Sequence, residues 1–188
     1  MVKKVPMTRF PDAATVSYSR AIEKMITTIG VETLKLFEKH IVPQLTTRQD
    51  ASFVEDGLLN GFKKMFDSLK DKVNKFFTTT QSERAAWSFV MNINRFNRHN
   101  LEQQMKVKGI NLVATEPWLK DFITARIRDN VGYIQTIHQD YLERIENVVN
   151  DGVKSGASIK QMREQLMAEV DISRNQAQFI AVDQADQY

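Results

Sequence analysis

Apolar residues recur at steps of three and four along most of the 188-residue chain, the spacing that gathers side chains on one side of an α-helix. From Asp12 to Ile41 the stripe runs through Tyr18, Ile22, Met25, Ile29, Leu34, Phe37 and Ile41, with one longer step across Gly30. That spacing predicts a long amphipathic helix interrupted at Gly30. Pro43 should end it or bend its last turn, because proline has no backbone donor. A second helix is predicted over Phe53 to Phe77 through Leu58, Phe62, Met65, Leu69, Val73 and Phe76. Lys63, Lys64, Lys70, Lys72 and Lys75, diluted by Asp67 and Asp71, read as a solubilising face.

Thr80 with Glu83 has the form of a capping box and precedes Trp87, Val90, Ile93, Phe96 and Leu101 at helical spacing. The third helix should run to about Lys108 and stop at Gly109. Thr115, Glu116 and Pro117 form the next start signal, since a first-turn amide has no partner for proline to lose. A fourth helix would bury Leu119, Ile123, Ile127, Val131 and Ile134. A fifth, from about Gln139 to Lys154, would bury Leu142, Ile145, Val149 and Val153, with Gly156 suited to a left-handed stop. Two further boxes, Ser158 to Gln161 and Ser173 to Gln176, would open two short terminal helices.

No segment alternates in the manner of a strand. The expected fold is all-α: an elongated bundle of seven helices, long in the first half and shorter in the second. It divides into an N-terminal arm over 1–11, a long-helix region over 12–108 and a shorter-helix region over 109–188. The last helix reaches Tyr188 with no stop signal, so the chain is expected to be truncated before a C-terminal domain.

Composition narrows the function classes. Only 7 glycines and 4 prolines occur, too few for the many reversals of a β architecture. The chain has no cysteine, which removes disulfides, thiolate zinc sites and thiol nucleophiles. No apolar stretch approaches the length of a membrane span, so a soluble, unsecreted chain with no membrane partner is expected. The 26 basic and 23 acidic residues leave a net charge of +3, compatible with a nucleic-acid partner without demanding one.

Reactive constellations are few in the sequence. There is no glycine-rich phosphate cradle, and His40, His99 and His138 each lack a second histidine at metal-ligand spacing. His99 with Glu102 is a single reversed pair, far short of a bundle di-metal site. Glu143 and Glu146 flank Arg144 and read as a solvated helix face, while His138 and Asp140 read as the start of a helix. No catalytic residue, cofactor or metal is assigned, and the chain is expected not to be an enzyme. The densest basic stretch holds Arg84, Arg95, Arg98, Lys106 and Lys108, with Trp87, Phe89 and Phe96 interleaved. Two readings stay open for it: Arg95, Arg98, Lys106 and Lys108 grip DNA phosphates or an acidic partner, or they form a wet helix back with the aromatics in the core.

Three stretches, in order, carry a resemblance. The first is Asn92-Ile93-Asn94-Arg95-Phe96-Asn97-Arg98-His99-Asn100, leading to Gln104-Met105-Lys106 and Gly109-Ile110. The second is Glu116-Pro117-Trp118-Leu119 with Asn130, Tyr133-Ile134, Ile137 and Tyr141-Leu142. The third is Val149, Gly152-Val153, Ser155-Gly156 and Ser158-Ile159, closing with Arg174-Asn175-Gln176-Ala177-Gln178-Phe179-Ile180-Ala181-Val182-Asp183-Gln184. Together they resemble the N-terminal region of phage head-morphogenesis proteins, the minor head proteins similar to the F protein of phage Mu. Val182 stands where that family usually has arginine, in an Ala-Arg-Asp-Gln string. The resemblance implies a virion component that meets portal, capsid or scaffold protein in the host cytoplasm during head assembly and is kept inside the capsid. Contact with packaged double-stranded DNA belongs to the same expectation, and the amphipathic helices between Val16 and Phe77 could pack as a bundle within one chain or against other copies, which leaves self-association open. A free helical DNA-binding protein is the alternative.

Overall fold

The computed structural model describes residues 5–7, 9–46, 55–77, 79–109 and 117–187. Six helices occur among them: α1 (Asp12–His40), α2 (Val42–Thr46), α3 (Glu55–Phe76), α4 (Thr79–Val107), α5 (Pro117–Ser155) and α6 (Ile159–Asp186). The fold is an all-α bundle. Helices α1, α4, α5 and α6 close a ring in which each packs on its two neighbours, and α3 lies against α1 outside that ring. One contiguous core joins Ile22, Ile26, Ile29 and Phe37 of α1 to Leu69 of α3, Ile93 of α4, Ile137 and Ile145 of α5, and Met162 and Leu166 of α6.

The structure corrects the sequence expectation at three places, and it adds α2, a short helix that the periodicity does not predict. Gly30 does not interrupt α1: it is buried within the helix, and a Cβ there would lie 2.5 Å from Val170 Cγ2 of α6. The missing side chain permits a close helix crossing; it does not mark a break. The fourth and fifth predicted helices are one 39-residue helix, α5, about 58 Å long at 1.5 Å per residue. Its stripe passes without a break from Ile134 and Ile137 to Tyr141 and Ile145, so His138 and Asp140 are interior to it. The two terminal helices are likewise one. Ser173 lies inside α6, donating its hydroxyl to the Glu169 carbonyl at 3.0 Å, and the small residues Ser173, Ala177, Ala181 and Ala185 form a buried row. The second half of the chain therefore holds the longest helix, not shorter ones.

Other boundaries match the local chemistry. Ser158 caps α6 through a reciprocal box with Gln161, and Gly109 and Gly156 adopt the left-handed backbone, with φ of 73° and 70°. Helix α4 begins at Thr79, one residue ahead of the predicted cap. α1 ends at His40, and Pro43 sits in the separate short α2. Phe53, Thr115, Glu116 and Tyr188 lie outside the described residues, as do the side chains of Leu58 and Phe76.

Polar groups join α1 and α5 across the ring. The Tyr18 hydroxyl donates to the Asn130 carbonyl at 3.3 Å, and the Thr33 and Tyr141 hydroxyls are 2.9 Å apart. Burial pushes the Tyr141 phenol up to about 12, so it stays a neutral hydrogen-bonding group. Along the α1–α6 seam, Glu23 accepts from Ser19 at 2.6 Å and from Gln178 at 3.0 Å, and Arg163 pairs with Glu38 at 2.8 Å. The hydrogen bond from Ser19 holds Glu23 below the usual carboxylate range, and that from Arg163 does the same for Glu38.

Candidate functional site

The predicted basic stretch lies on α4, whose inner side is set by Ser82, Ala86, Phe89, Val90 and Ile93, all buried. Phe89 stacks on Tyr18 of α1 with ring centroids 4.2 Å apart and planes 14° from parallel. With that side turned inward, a helical period of 3.6 residues sends Arg84, Trp87, Arg95, Arg98 and Glu102 to one outer stripe. Arg84, Arg95, Arg98, Lys106 and Lys108 are all exposed, Lys108 in the turn that follows the helix. Arg98 donates through Nε to Glu102 at 3.1 Å, so its charge is locally matched. Over residues 79–109 five basic residues face two acidic ones, an excess of three that equals the +3 of the whole chain.

The aromatics of this stretch separate. Phe89 is in the core, Phe96 is half-buried, and Trp87 is 56% exposed. Trp87 lines an open groove of about 590 Å³ with Thr80, Glu83, Arg84 and Ser88 of α4 and Ile127 of α5. The wet helix back is therefore real for the charged residues, and the expectation that all the aromatics are packed holds for Phe89 and not for Trp87. Sequence spacing does not reveal the groove, because Ile127 reaches Trp87 only through the pairing of α4 with α5.

The remaining sequence candidates disperse. His99 is exposed while Glu102 is engaged by Arg98, and among the described residues no group of three histidines or acids is arranged to hold a metal ion. Glu143 and Glu146 are exposed, but Arg144 turns inward, with its Nε 2.8 Å from Glu169 and its Nη2 donating to Ser173 at 2.6 Å. His138 packs against Phe77 with ring centroids 5.1 Å apart, and burial lowers its pKa. Asp140 accepts from Gln176 of α6 at 3.1 Å. Lys72 leaves the solubilising face of α3 to pair with Glu32 of α1. No described helix is long and apolar enough to cross a membrane.

A second exposed surface, absent from the sequence expectations, lies on α6. Phe179 is 72% exposed on α6, with Ile172 and Val182 also exposed. The signal was present: Phe179 falls off the stripe that joins Ala177 to Ala181.

Comparison with known proteins adds one relative. An uncharacterized protein of Haemophilus influenzae is 25% identical over 160 residues, which span 81% of this chain and 35% of the relative. The chain thus corresponds to about a third of that protein's length. No family model matches the chain, and no solved structure matches it.

Proposed function

We propose that this chain is a structural minor head protein of a tailed bacteriophage, or part of one, that associates with portal, capsid or scaffold protein during head assembly in the host cytoplasm. In the virion it would sit inside the capsid, with the outer face of α4 turned to a negatively charged neighbour: acidic protein or packaged double-stranded DNA. Its work on this reading is assembly, without catalysis or a cofactor. The observation that carries the proposal is the uncovered cationic face of α4, whose Arg95 and Arg98 fall inside the first stretch that resembles head-morphogenesis proteins. Exposed arginines beside an exposed tryptophan are the residue types that dominate binding surfaces. Co-purification with the portal protein of the same phage, and recovery of the chain in procapsids, is the expected result. Failure to associate with either overturns the proposal.

The excess of positive charge on α4 favours a second reading, a free DNA-binding protein with a sequence-independent grip. Its affinity for duplex DNA should fall steeply with added salt, and Arg95→Ala with Arg98→Ala should weaken binding and reduce the salt dependence. No binding at low salt ends this reading and leaves the portal association to be judged on its own.

A further inference from the structure

We infer that the Trp87 groove and the cationic stripe leading from it take an unpaired nucleic-acid strand, one base stacking on the indole while Arg84, Arg95 and Arg98 hold phosphates. The inference rests on the reading that the outer face of α4 meets nucleic acid, and departs from it in the form, an unpaired strand in place of duplex DNA. Three observations converge. Trp87 is more than half exposed although the chain has a core able to take in aromatic rings, as Phe37 and Phe89 demonstrate. The groove beside it, about 590 Å³ and walled by Ile127, is of the size that small ligands occupy. The exposed cations Arg84, Arg95 and Arg98 fall on the same side of α4 as Trp87, so a polyanion laid along that side meets positive charge on its way from the groove.

The combination selects the strand over the duplex on physical grounds. A duplex keeps its base faces stacked inside and offers the indole only backbone and groove edges, whereas an unpaired base presents a flat π-face to it. Glu83, which also lines the groove, repels phosphate there and leaves the indole to the uncharged base. Arg84, next to it, and then Arg95 and Arg98 supply the compensating charge. Such binding would be tolerant of sequence and sensitive to salt, because stacking needs only a π-face and the cations need only phosphates.

The test uses the 188-residue chain carrying Trp118→Phe, so that Trp87 is the only tryptophan left to report. It is titrated with an oligothymidylate of about 20 nucleotides and with a duplex of equal length. The expected result is quenching of Trp87 fluorescence by the single strand, with tighter binding than to the duplex. Trp87→Ala should weaken single-strand binding about tenfold and leave any duplex binding unchanged, its helicity by circular dichroism matching the parent. Arg95→Ala with Arg98→Ala should lower the salt slope by about 1.4, two phosphate contacts at about 0.7 each. Duplex binding as tight as single-strand binding, without quenching, overturns the inference and leaves the nucleic-acid reading intact. Absence of binding to either form overturns both.

Discussion

Helices α1 and α4 are both 29 residues long, yet they serve the molecule in opposite ways. α1 buries residues from its first turn to its last, Ala14 to Phe37, and packs on α3, α4 and α6. α4 has buried residues only up to Ile93, and none of the fourteen positions that follow, 94–107, is fully buried. A helix with neighbours on several sides draws its stability from packing, and its residues are dictated by the fold. A half-helix with no fully buried residue leaves most of its surface chemistry unconstrained by folding. The arginines of α4 lie in that second category, which is why this helix, and not α1, is the place to look for an interaction.

The difference is most easily broken at Phe37. Its side chain is fully buried, so Phe37→Ala should cost about 3–5 kcal/mol, a large part of the stability of an ordinary domain. Leu101→Ala, on the open half of α4, should change stability by no more than about 0.5 kcal/mol. Urea unfolding midpoints of the two variants measure the contrast, and equal losses would mean that the second half of α4 is packed after all.

Gly30 sharpens the comparison with a smaller effect. A Cβ there would come within 2.5 Å of Val170 Cγ2, and a β-branched side chain yields little in a packed seam. Gly30→Ala should therefore destabilise by about 1–2 kcal/mol, although alanine is the better helix former. In a Val170→Ala background the same substitution should become neutral or stabilising, because the obstructing methyl is gone. A double-mutant cycle in denaturant reads the change of sign.

These two positions also mark how far the chain could be read before folding. Periodicity located the long helical segments but not the short α2, and Ser158, Gly109 and Gly156 mark real ends, because a cap or a left-handed turn is local chemistry. The errors came where a residue has one local meaning and another tertiary one. Gly30 can break a helix or admit a neighbour, and only the presence of Val170 decides. Ser173 with Gln176 has the form of a cap, but Arg144 donates to the Ser173 hydroxyl from α5 and the helix runs on. The cations of the candidate site were legible because charge at helical spacing needs no partner to be seen. The groove was not, since Ile127 and Trp87 are forty residues apart in sequence and meet only through helix pairing.

A pH experiment tests the packed part of the molecule by a different route. Burial lowers the pKa of His138 from its ordinary 6.5. The unfolded chain then takes up a proton near 6.5 while the folded chain resists it, so more protons bind to the unfolded state and stability falls as pH drops below about 6.5. The lowered values of Glu23, Glu32 and Glu38 act in the same direction but below 4.5, a separate window. Between pH 7 and pH 5 the thermal midpoint should therefore decline, and His138→Phe should flatten that decline. His40, also lowered by burial, accounts for a residual slope. An unchanged slope in the variant would move the pH dependence away from the contact of His138 with Phe77.

The smallest expected effect on stability is the most informative for function. Arg95 is exposed, and Arg98 spends its one local contact on Glu102, an exposed pair of the i, i+4 kind that is worth about 0.3–0.5 kcal/mol. Arg95→Ala and Arg98→Ala, alone or together, should leave the denaturant midpoint within about 0.5 kcal/mol of the parent. Alanine is the better helix former, which offsets part of the lost pair. A neutral result matters because it separates two reasons for holding positive charge at these positions. If folding needed the arginines, removing them would cost stability as Phe37→Ala does. If folding is indifferent to them, any loss of binding to portal protein or nucleic acid by the same variants reflects the surface itself, and the contrast between α1 and α4 becomes a division between residues that build the bundle and residues that it presents.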